Sequence, residues 1–363
     1  MDYALIGCGR IAVNHIKAAL NNKLRIVAVC DAVPENMEAL LTKFDLQGGA
    51  DIARYTDHKK LLAGHPGLEL VSIATDSGSH ARIALDCIDA GVNVIIEKPI
   101  AMSMADANEI VRRGEERGVK VCACHQNRFN LAVQQTRKAL EAGRFGRLSH
   151  GSIHVRWNRG RAYYDQAGWR GKWASDGGCL MNQCIHGIDL LRWMLGGEVD
   201  EVYGVTARRF HEYLECEDLG MAVVKFKNGA VGTIEGTVNV YPKNLEETLY
   251  LFGETGTVKL GGTSTNNIDV WDFAGEDAED AENKGLREAT SNVYGNGHTA
   301  LFADMMDAIE RNRAPYVDAR AGRDALELVL AVYQSAAMGK PVKLPLGGVA
   351  SVDFTGRFEH TDR

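Results

Sequence analysis

A chain of 363 residues exceeds the usual size of one compact core, so two domains are expected. Hydrophobic residues at 45%, charged residues at 25% and a net charge of -7 describe a globular protein whose general partner is neither nucleic acid nor an anionic membrane surface. No apolar run approaches bilayer length, no basic segment and apolar stretch precede the first strand, and the eight cysteines lack paired spacing; cytoplasm, reduced thiols and no metal site are the expectations.

Tyr3-Ala4-Leu5-Ile6 reads as a short strand running into Gly7-Cys8-Gly9-Arg10-Ile11-Ala12, after which Ala12, Ile16, Ala19 and Leu20 recur at helical spacing. Strand, glycine turn and helix make a dinucleotide-binding opening. Gly7 and Gly9 let the backbone approach a pyrophosphate, and the amides around Arg10 and Ile11 face it from a helix N-terminus. A second strand, Ile26 to Cys30, ends in Asp31, where a carboxylate can accept from both ribose hydroxyls and repel a 2'-phosphate. NAD is therefore the expected cofactor.

Helices are expected over Glu38 to Phe44 and at Leu61-Leu62, followed by a third parallel strand, Leu70 to Ala74. Thr75 and His80 follow at its ligand-facing end, before a helix from Ala81 to Ala90. Gly91 opens a further strand that stops at Glu97-Lys98-Pro99. The proline keeps Lys98 extended and so presents its amine, and Glu97 and Lys98 are expected among the cofactor contacts. A helix from Met104 to Arg117 and a fifth strand, Lys120 to Cys124, complete a doubly wound parallel sheet over residues 1–124, with Asn127 just beyond on the ligand side.

Past a helix from Val133 to Ala142 the period changes. Gly151 to Trp157, Val202 to Phe210, Leu219 to Phe226, Ala230 to Val240, Thr248 to Phe252 and Thr257 to Leu260 read as strands, with hairpin or turn signals at Asn228-Gly229 and Gly253-Glu254-Thr255-Gly256. Gly275 to Asn283 reads as a solvated acidic loop, and helices resume at His298 to Asn312 and Arg323 to Met338. The expected fold class is α/β: a Rossmann domain over 1–124, an α+β domain with a large open, mainly antiparallel sheet over 125–346, and a tail over 347–363.

A second chemical cluster lies in Asp176-Gly177-Gly178 through Asn182, His186 and Asp189. A glycine entrance allows close approach to a ligand, and polar residues at i, i+4 and i+7 share one helix face, where they are costly unless used. With a reference pKa of about 6.5, His186 can take a hydroxyl proton near neutrality, whereas Lys98, at about 10.4, would have to shift by roughly 3 units, about 4 kcal/mol. His186 is thus the expected base and Lys98 the cation beside the developing alkoxide. Arg156, Arg159, Arg161, Tyr163, Tyr164 and Lys172 form an Arg and aromatic cluster suited to phosphate or carboxylate and to a flat ring. Trp169 and Arg170 are expected on its cofactor side.

Gly7-Cys8-Gly9-Arg10-Ile11-Ala12, Glu97-Lys98-Pro99 and Gly177-Gly178 through His186 and Asp189 together resemble the Gfo/Idh/MocA family of sugar oxidoreductases, from Met1 to about Leu346. The resemblance implies NAD-dependent oxidation of a secondary hydroxyl, catalysis by Lys98 and His186, and homo-oligomers, dimeric or tetrameric, built on the open sheet. Many members carry an acid where this chain has Asn182. A narrower similarity, to members acting at C3 of UDP-linked N-acetylhexosaminuronates in surface-polysaccharide synthesis, rests on Tyr163-Tyr164-Asp165, Trp169-Arg170-Gly171, Met181-Asn182-Gln183, Tyr241-Pro242-Lys243-Asn244-Leu245-Glu246 and Gly253-Glu254-Thr255-Gly256-Thr257-Val258. The alternatives are a dehydrogenase of a free sugar or cyclitol such as myo-inositol, and a dinucleotide-binding regulator without turnover.

Overall fold

The computed structural model describes residues 1–47, 52–275, 277–289 and 295–358. Residue 276 of the acidic loop and residues 359–363 of the tail lie outside the described residues. The chain divides into two compact units, Met1–His125 with His298–Arg323, and Gln126–Gly297 with Asp324–Arg363. Residues 298–323 thus group with the first unit and the tail with the second, a division that sequence boundaries at 124 and 346 do not convey.

In the first unit, β1 (Asp2–Ile6), α1 (Ala12–Asn21), β2 (Arg25–Cys30), α2 (Pro34–Lys43), β3 (Ala53–Tyr55), α3 (His58–Gly64), β4 (Leu70–Ile73), α4 (His80–Asp89), β5 (Asn93–Ile96), α5 (Met104–Arg117) and β6 (Val121–Ala123) alternate. The six strands are parallel in the order β3-β2-β1-β4-β5-β6. β4 and β5 are wholly or almost wholly buried, and their continuous apolar runs are what a sheet covered on both faces requires. Sequence reading missed β3, which at three residues is too short to show a period. The returning segment belongs here because Phe302 packs edge-on against Tyr3, with centroids 5.8 Å apart, and the Ala123 amide donates to the Val317 carbonyl at 3.0 Å.

The second unit contains α6 (Leu131–Glu141), β7 (Leu148–Arg156), α7 (Arg161–Tyr164), α8 (Ile185–Met194), β8 (Val199–Ala207), β9 (Leu219–Phe226), β10 (Val231–Thr237), β11 (Glu246–Gly253), β12 (Gly256–Gly261), β13 (Asn267–Phe273) and α9 (Asp280–Asn283). α10 (Gly297–Glu310) and α11 (Ala319–Met338) follow, and β14 (Val342–Lys343) closes the sheet. Its eight strands run β13-β12-β11-β7-β10-β9-β8-β14. Only the β7 and β10 pair is parallel; the other neighbours are antiparallel. Along β9, Gly220, Ala222, Val224 and Phe226 are buried while Met221, Val223 and Lys225 are exposed, so one face is covered and the other open.

Two expectations change here. β13 has no counterpart among the expected strands: its buried residues, Ile268 and Trp271, are three apart, and its pairing with β12 shifts register between Lys259 and Leu260, so no period of two shows. The tail is docked rather than appended: the Ser351 hydroxyl donates to the Trp173 carbonyl at 2.6 Å, and Phe354 is buried against Trp173 and Tyr333. Among the described residues no helix is long and apolar enough to cross a membrane.

Candidate active site

The glycine turn of the first unit is shaped by close packing. Gly7 has φ +95°, and a Cβ there would lie 2.5 Å from the Ala74 carbonyl carbon and 2.6 Å from the Thr75 nitrogen, so only glycine lets the end of β1 meet the end of β4. At Gly9 a Cβ would meet nothing within 4 Å: the turn faces open space where a pyrophosphate could come against the backbone. Arg10 is exposed and Ile11 partly so beside it. Asp31 is oriented by its surroundings, one oxygen accepting from the Cys8 amide at 2.8 Å and the other from the Val33 amide at 2.8 Å and Asn36 Nδ2 at 3.2 Å. A carboxylate has about four lone-pair sites, so with three donors on it one site remains, on Oδ2, for a ribose hydroxyl. These features fit a dinucleotide.

His80 does not extend toward such a ligand. It is buried, with Nδ1 2.8 Å from the Pro99 carbonyl and Nε2 3.3 Å from the Thr75 carbonyl, a bracket between two strand ends; burial lowers its pKa. Thr75 lies partly exposed, its hydroxyl bonded to the Asp76 carbonyl at 3.2 Å.

Behind Lys98 lies a buried charged group that sequence reading missed. Glu97 Oε1 is 2.9 Å from His15 Nε2 and 3.7 Å from His298 Nε2, while Oε2 accepts from the Lys98 amide at 3.2 Å. Burial alone would raise the Glu97 pKa, but bonding to the two histidines holds it well below the usual carboxylate range. Cys124 completes the group, its sulfur and the facing side-chain atoms of His15, Glu97 and His298 lying within 4.8 Å of one another. Glu97 is therefore an internal anchor for the strand end that carries Lys98, not an exposed cofactor contact. A polar His15 on the buried stripe of Ala12, Ile16 and Ala19 was the available clue.

In the second unit, the glycine pair leads into a π-helical turn, Leu180–Cys184, before α8 begins. A wider turn changes the angular spacing, so Asn182, His186 and Asp189 do not act as one set. Asp189 is fully buried in a bidentate pair with Arg128, at 2.6 and 2.7 Å, and Arg128 also lies over the Trp193 ring. His186 is buried with Nε2 3.5 Å from Gln126 Nε2. Next to it, Gln126 Nε2 is 3.4 Å from Asn127 Oδ1, which brings Asn127 to the same neighbourhood. Asn182 donates to Asp176 and accepts from Gln183 Nε2 at 3.0 Å; Gln183 in turn donates to the Tyr163 hydroxyl at 2.9 Å. Asp176 is thus the acid to which Asn182 is bonded.

The glycine entrance has a different cause from the one expected. A Cβ on Gly178 would lie 1.2 Å from Glu217 Oε2, so the space is taken by a buried carboxyl rather than kept for a ligand. A cleft beside it is lined by Tyr164, Asp176, Asn182, Gln183, Cys216 and Glu217. Tyr164 is buried there, which pushes its phenol pKa up.

The Arg and aromatic cluster divides. Arg156 stands on the opposite sheet face from α8, paired with Glu235 at 2.7 Å and Glu246 at 2.6 Å; contrary to expectation its charge is already met by two acids and it does not serve as an anion contact. Arg159 lies 4.9 Å from the Trp157 ring and 5.2 Å from the Tyr163 ring, and donates to Asn244 at 2.9 Å. Arg170 donates to the Tyr163 hydroxyl and stacks on Tyr163 and Trp169 at 4.2 and 4.6 Å. Arg161 is exposed, 3.4 Å from Asp165, and Lys172 is exposed. Arg159, Arg170, Tyr163 and Trp169 therefore form one stacked group.

Two domain models match the chain: the Gfo/Idh/MocA "Oxidoreductase family, NAD-binding Rossmann fold" over residues 1–125 and the "Oxidoreductase family, C-terminal alpha/beta domain" over 137–344. The chain is 27% identical to a D-apiose dehydrogenase of Rhizobium rhizogenes over 94% of this chain and 96% of that protein. It is 24% identical to a myo-inositol 2-dehydrogenase of Thermotoga maritima over 95% and 98%. Among solved structures it is similar to the WlbA dehydrogenase from Bordetella pertussis in complex with NADH and UDP-GlcNAcA, with a TM-score of 0.85 and 36% identity over 95% of this chain and 99% of that one.

Proposed function

The chain belongs to the Gfo/Idh/MocA oxidoreductase family and is an NAD-dependent enzyme of its sugar and cyclitol dehydrogenase class, and from that premise we propose that it oxidises C3 of a UDP-linked N-acetylglucosaminuronate in surface-polysaccharide synthesis. The observation that carries this reading is the 36% identity to a dehydrogenase solved with NADH and UDP-GlcNAcA. The stacked group of Arg159, Arg170, Tyr163 and Trp169 supports it, offering guanidinium donors and flat rings to an anionic nucleotide-sugar. Arg161 and Lys172 add exposed positive charge in an otherwise acidic protein.

NAD, when bound, supplies the hydride acceptor. Gly7, Gly9 and the amides near Arg10 and Ile11 would hold its pyrophosphate, and Asp31 its ribose. We assign proton removal from the sugar hydroxyl to His186 and stabilisation of the developing alkoxide to the Lys98 ammonium. Asn182, fixed by Asp176 and Gln183, would orient the sugar.

The open sheet face supports a dimer or tetramer: Tyr203, Val205, Met221 and Val223 are exposed side by side on β8 and β9. Eight buried cysteine thiols support a reducing cytoplasmic setting. A second reading, a free sugar or cyclitol as substrate, is favoured by the likeness to apiose and inositol dehydrogenases. The deciding assay compares UDP-N-acetylglucosaminuronate, UDP-N-acetylglucosamine, myo-inositol and glucose at matched concentrations with NAD. Fastest turnover is expected for the first; faster turnover of an uncharged free sugar promotes the second reading.

A further inference from the structure

Several buried polar side chains of the second unit have atoms without a hydrogen-bond partner among the described residues, and two of these side chains, Glu247 and Trp157, stand on one sheet face. Both oxygens of Glu247 are unpaired, although the residue is 1% exposed, and so is Nε1 of Trp157, which is 5% exposed. Leaving such groups unpaired costs about 1–3 kcal/mol each, a cost that packing alone gives no reason to bear.

Their placement follows from strand register. Glu247 on β11 is paired with Val155 on β7, so the two side chains share a face, and Trp157 follows on that face one alternation later. Val155 is in turn the residue on which α8 rests: a Cβ on Gly187 would be 3.1 Å from Val155 Cγ2 and 2.8 Å from Ile153 Cγ1. Gly187 immediately follows His186. Glu247 and Trp157 thus flank the spot where the helix bearing the assigned base touches the sheet.

We propose that Glu247 and Trp157 form a polar subsite beside His186 that receives an uncharged group of the sugar, a hydroxyl or the amide of an N-acetyl substituent. The inference rests on the sugar-dehydrogenase reading above and specifies what one part of its substrate must be. An indole N–H only donates, while a protonated carboxyl both donates and accepts, a combination that matches a hydroxyl or amide. Arg156, the cation of the same strand, is on the other face and held by Glu235, while Arg159 lies over the face of the Trp157 ring at 4.9 Å, not at the indole N–H edge, and donates to Asn244. Burial, which raises the Glu247 pKa to about 8, agrees with a carboxyl kept neutral for donation.

The test is steady-state kinetics of Glu247→Leu, Glu247→Gln and Trp157→Phe with NAD and the four sugars named above, together with melting temperatures. For the sugar that wild type turns over, Glu247→Leu is expected to raise KM by at least ~10-fold with a smaller change in kcat, the worth of one or two hydrogen bonds. Its melting temperature should not fall, since a buried unpaired polar group has been removed. Glu247→Gln should recover part of the lost affinity, because an amide also donates and accepts, and Trp157→Phe should raise KM in the same direction. An unchanged KM in Glu247→Leu overturns the subsite; if that variant does not fold, an unchanged KM in Trp157→Phe does so. Wild-type protein that turns over none of the four sugars overturns the parent reading and this inference with it, whereas wild-type turnover with unaffected variants removes the subsite alone.

Discussion

Gly178 and Glu217 occupy one another's space: the position a Cβ would take on the glycine is 1.2 Å from the carboxyl oxygen of the acid. Glu217 is fixed there, its other oxygen accepting from the Leu180 amide and the Tyr333 hydroxyl, each at 2.8 Å. Gly178→Ala should therefore overpack a buried site and cost about 1–3 kcal/mol. The same change should cost less in a Glu217→Ala background, where the carboxyl is gone. Urea denaturation of both single variants and the double variant measures the coupling, and additive costs would show that the two residues do not compete for space.

Glu97 should be a stability determinant before it is a kinetic one. Glu97→Gln keeps an acceptor for His15 at 2.9 Å but replaces a charge-assisted hydrogen bond by a neutral one in a fully buried setting, so it is expected to cost about 1–3 kcal/mol at pH 7. The folded pKa lies below the unfolded value, so the stabilisation is present above about pH 4.5 and lost as pH falls through the folded pKa. Chemical denaturation at pH 7 and pH 4 should show wild type losing stability on acidification by more than Glu97→Gln.

For Glu247 the sign is opposite. Burial raises its folded pKa from 4.5 to about 8, so the folded protein keeps a proton that the unfolded chain releases. Its contribution is most favourable below pH 4.5 and declines as pH rises from there toward 8. Wild type should therefore lose stability relative to Glu247→Leu between pH 5 and pH 8. Parallel melting curves across that range would mean that the carboxyl ionises in place without penalty.

Cofactor choice should follow Asp31. With both oxygens already oriented by the Cys8 and Val33 amides, the carboxylate is expected to accept from a ribose hydroxyl and to repel a 2'-phosphate. Wild type is expected to bind NADH at least ~10-fold more tightly than NADPH, the worth of about 1.4 kcal/mol. Asp31→Ser should narrow that ratio, and fluorescence titration with both cofactors reads it directly.

His186→Asn should lower kcat by ~100-fold or more and remove the ionisation on the acidic limb of the pH profile, as loss of a general base requires. The melting temperature serves as the control for folding. A variant that keeps both the rate and the acidic limb would move the base role away from His186.

Much of this protein is determined locally. Gly7 to Ala12 lies between a strand and a helix, Asp31 ends the next strand, and Asn228-Gly229 turns β9 into β10, because turn chemistry and hydrophobic period act over a few residues. Family membership was likewise legible from Glu97-Lys98-Pro99 and the segment around His186. Only the tertiary structure decided what those side chains touch. It paired Asp189 with Arg128, turned Glu97 inward to His15 and His298, gave the space at Gly178 to Glu217, and set Arg156 against Glu235 and Glu246. Each of these contacts joins residues far apart in the chain, or depends on which face of a sheet a side chain takes; helix packing decides the first two, and strand register decides the face that Arg156 takes. The same register places Glu247 and Trp157 beside the helix of His186, a juxtaposition that no local pattern in the chain encodes.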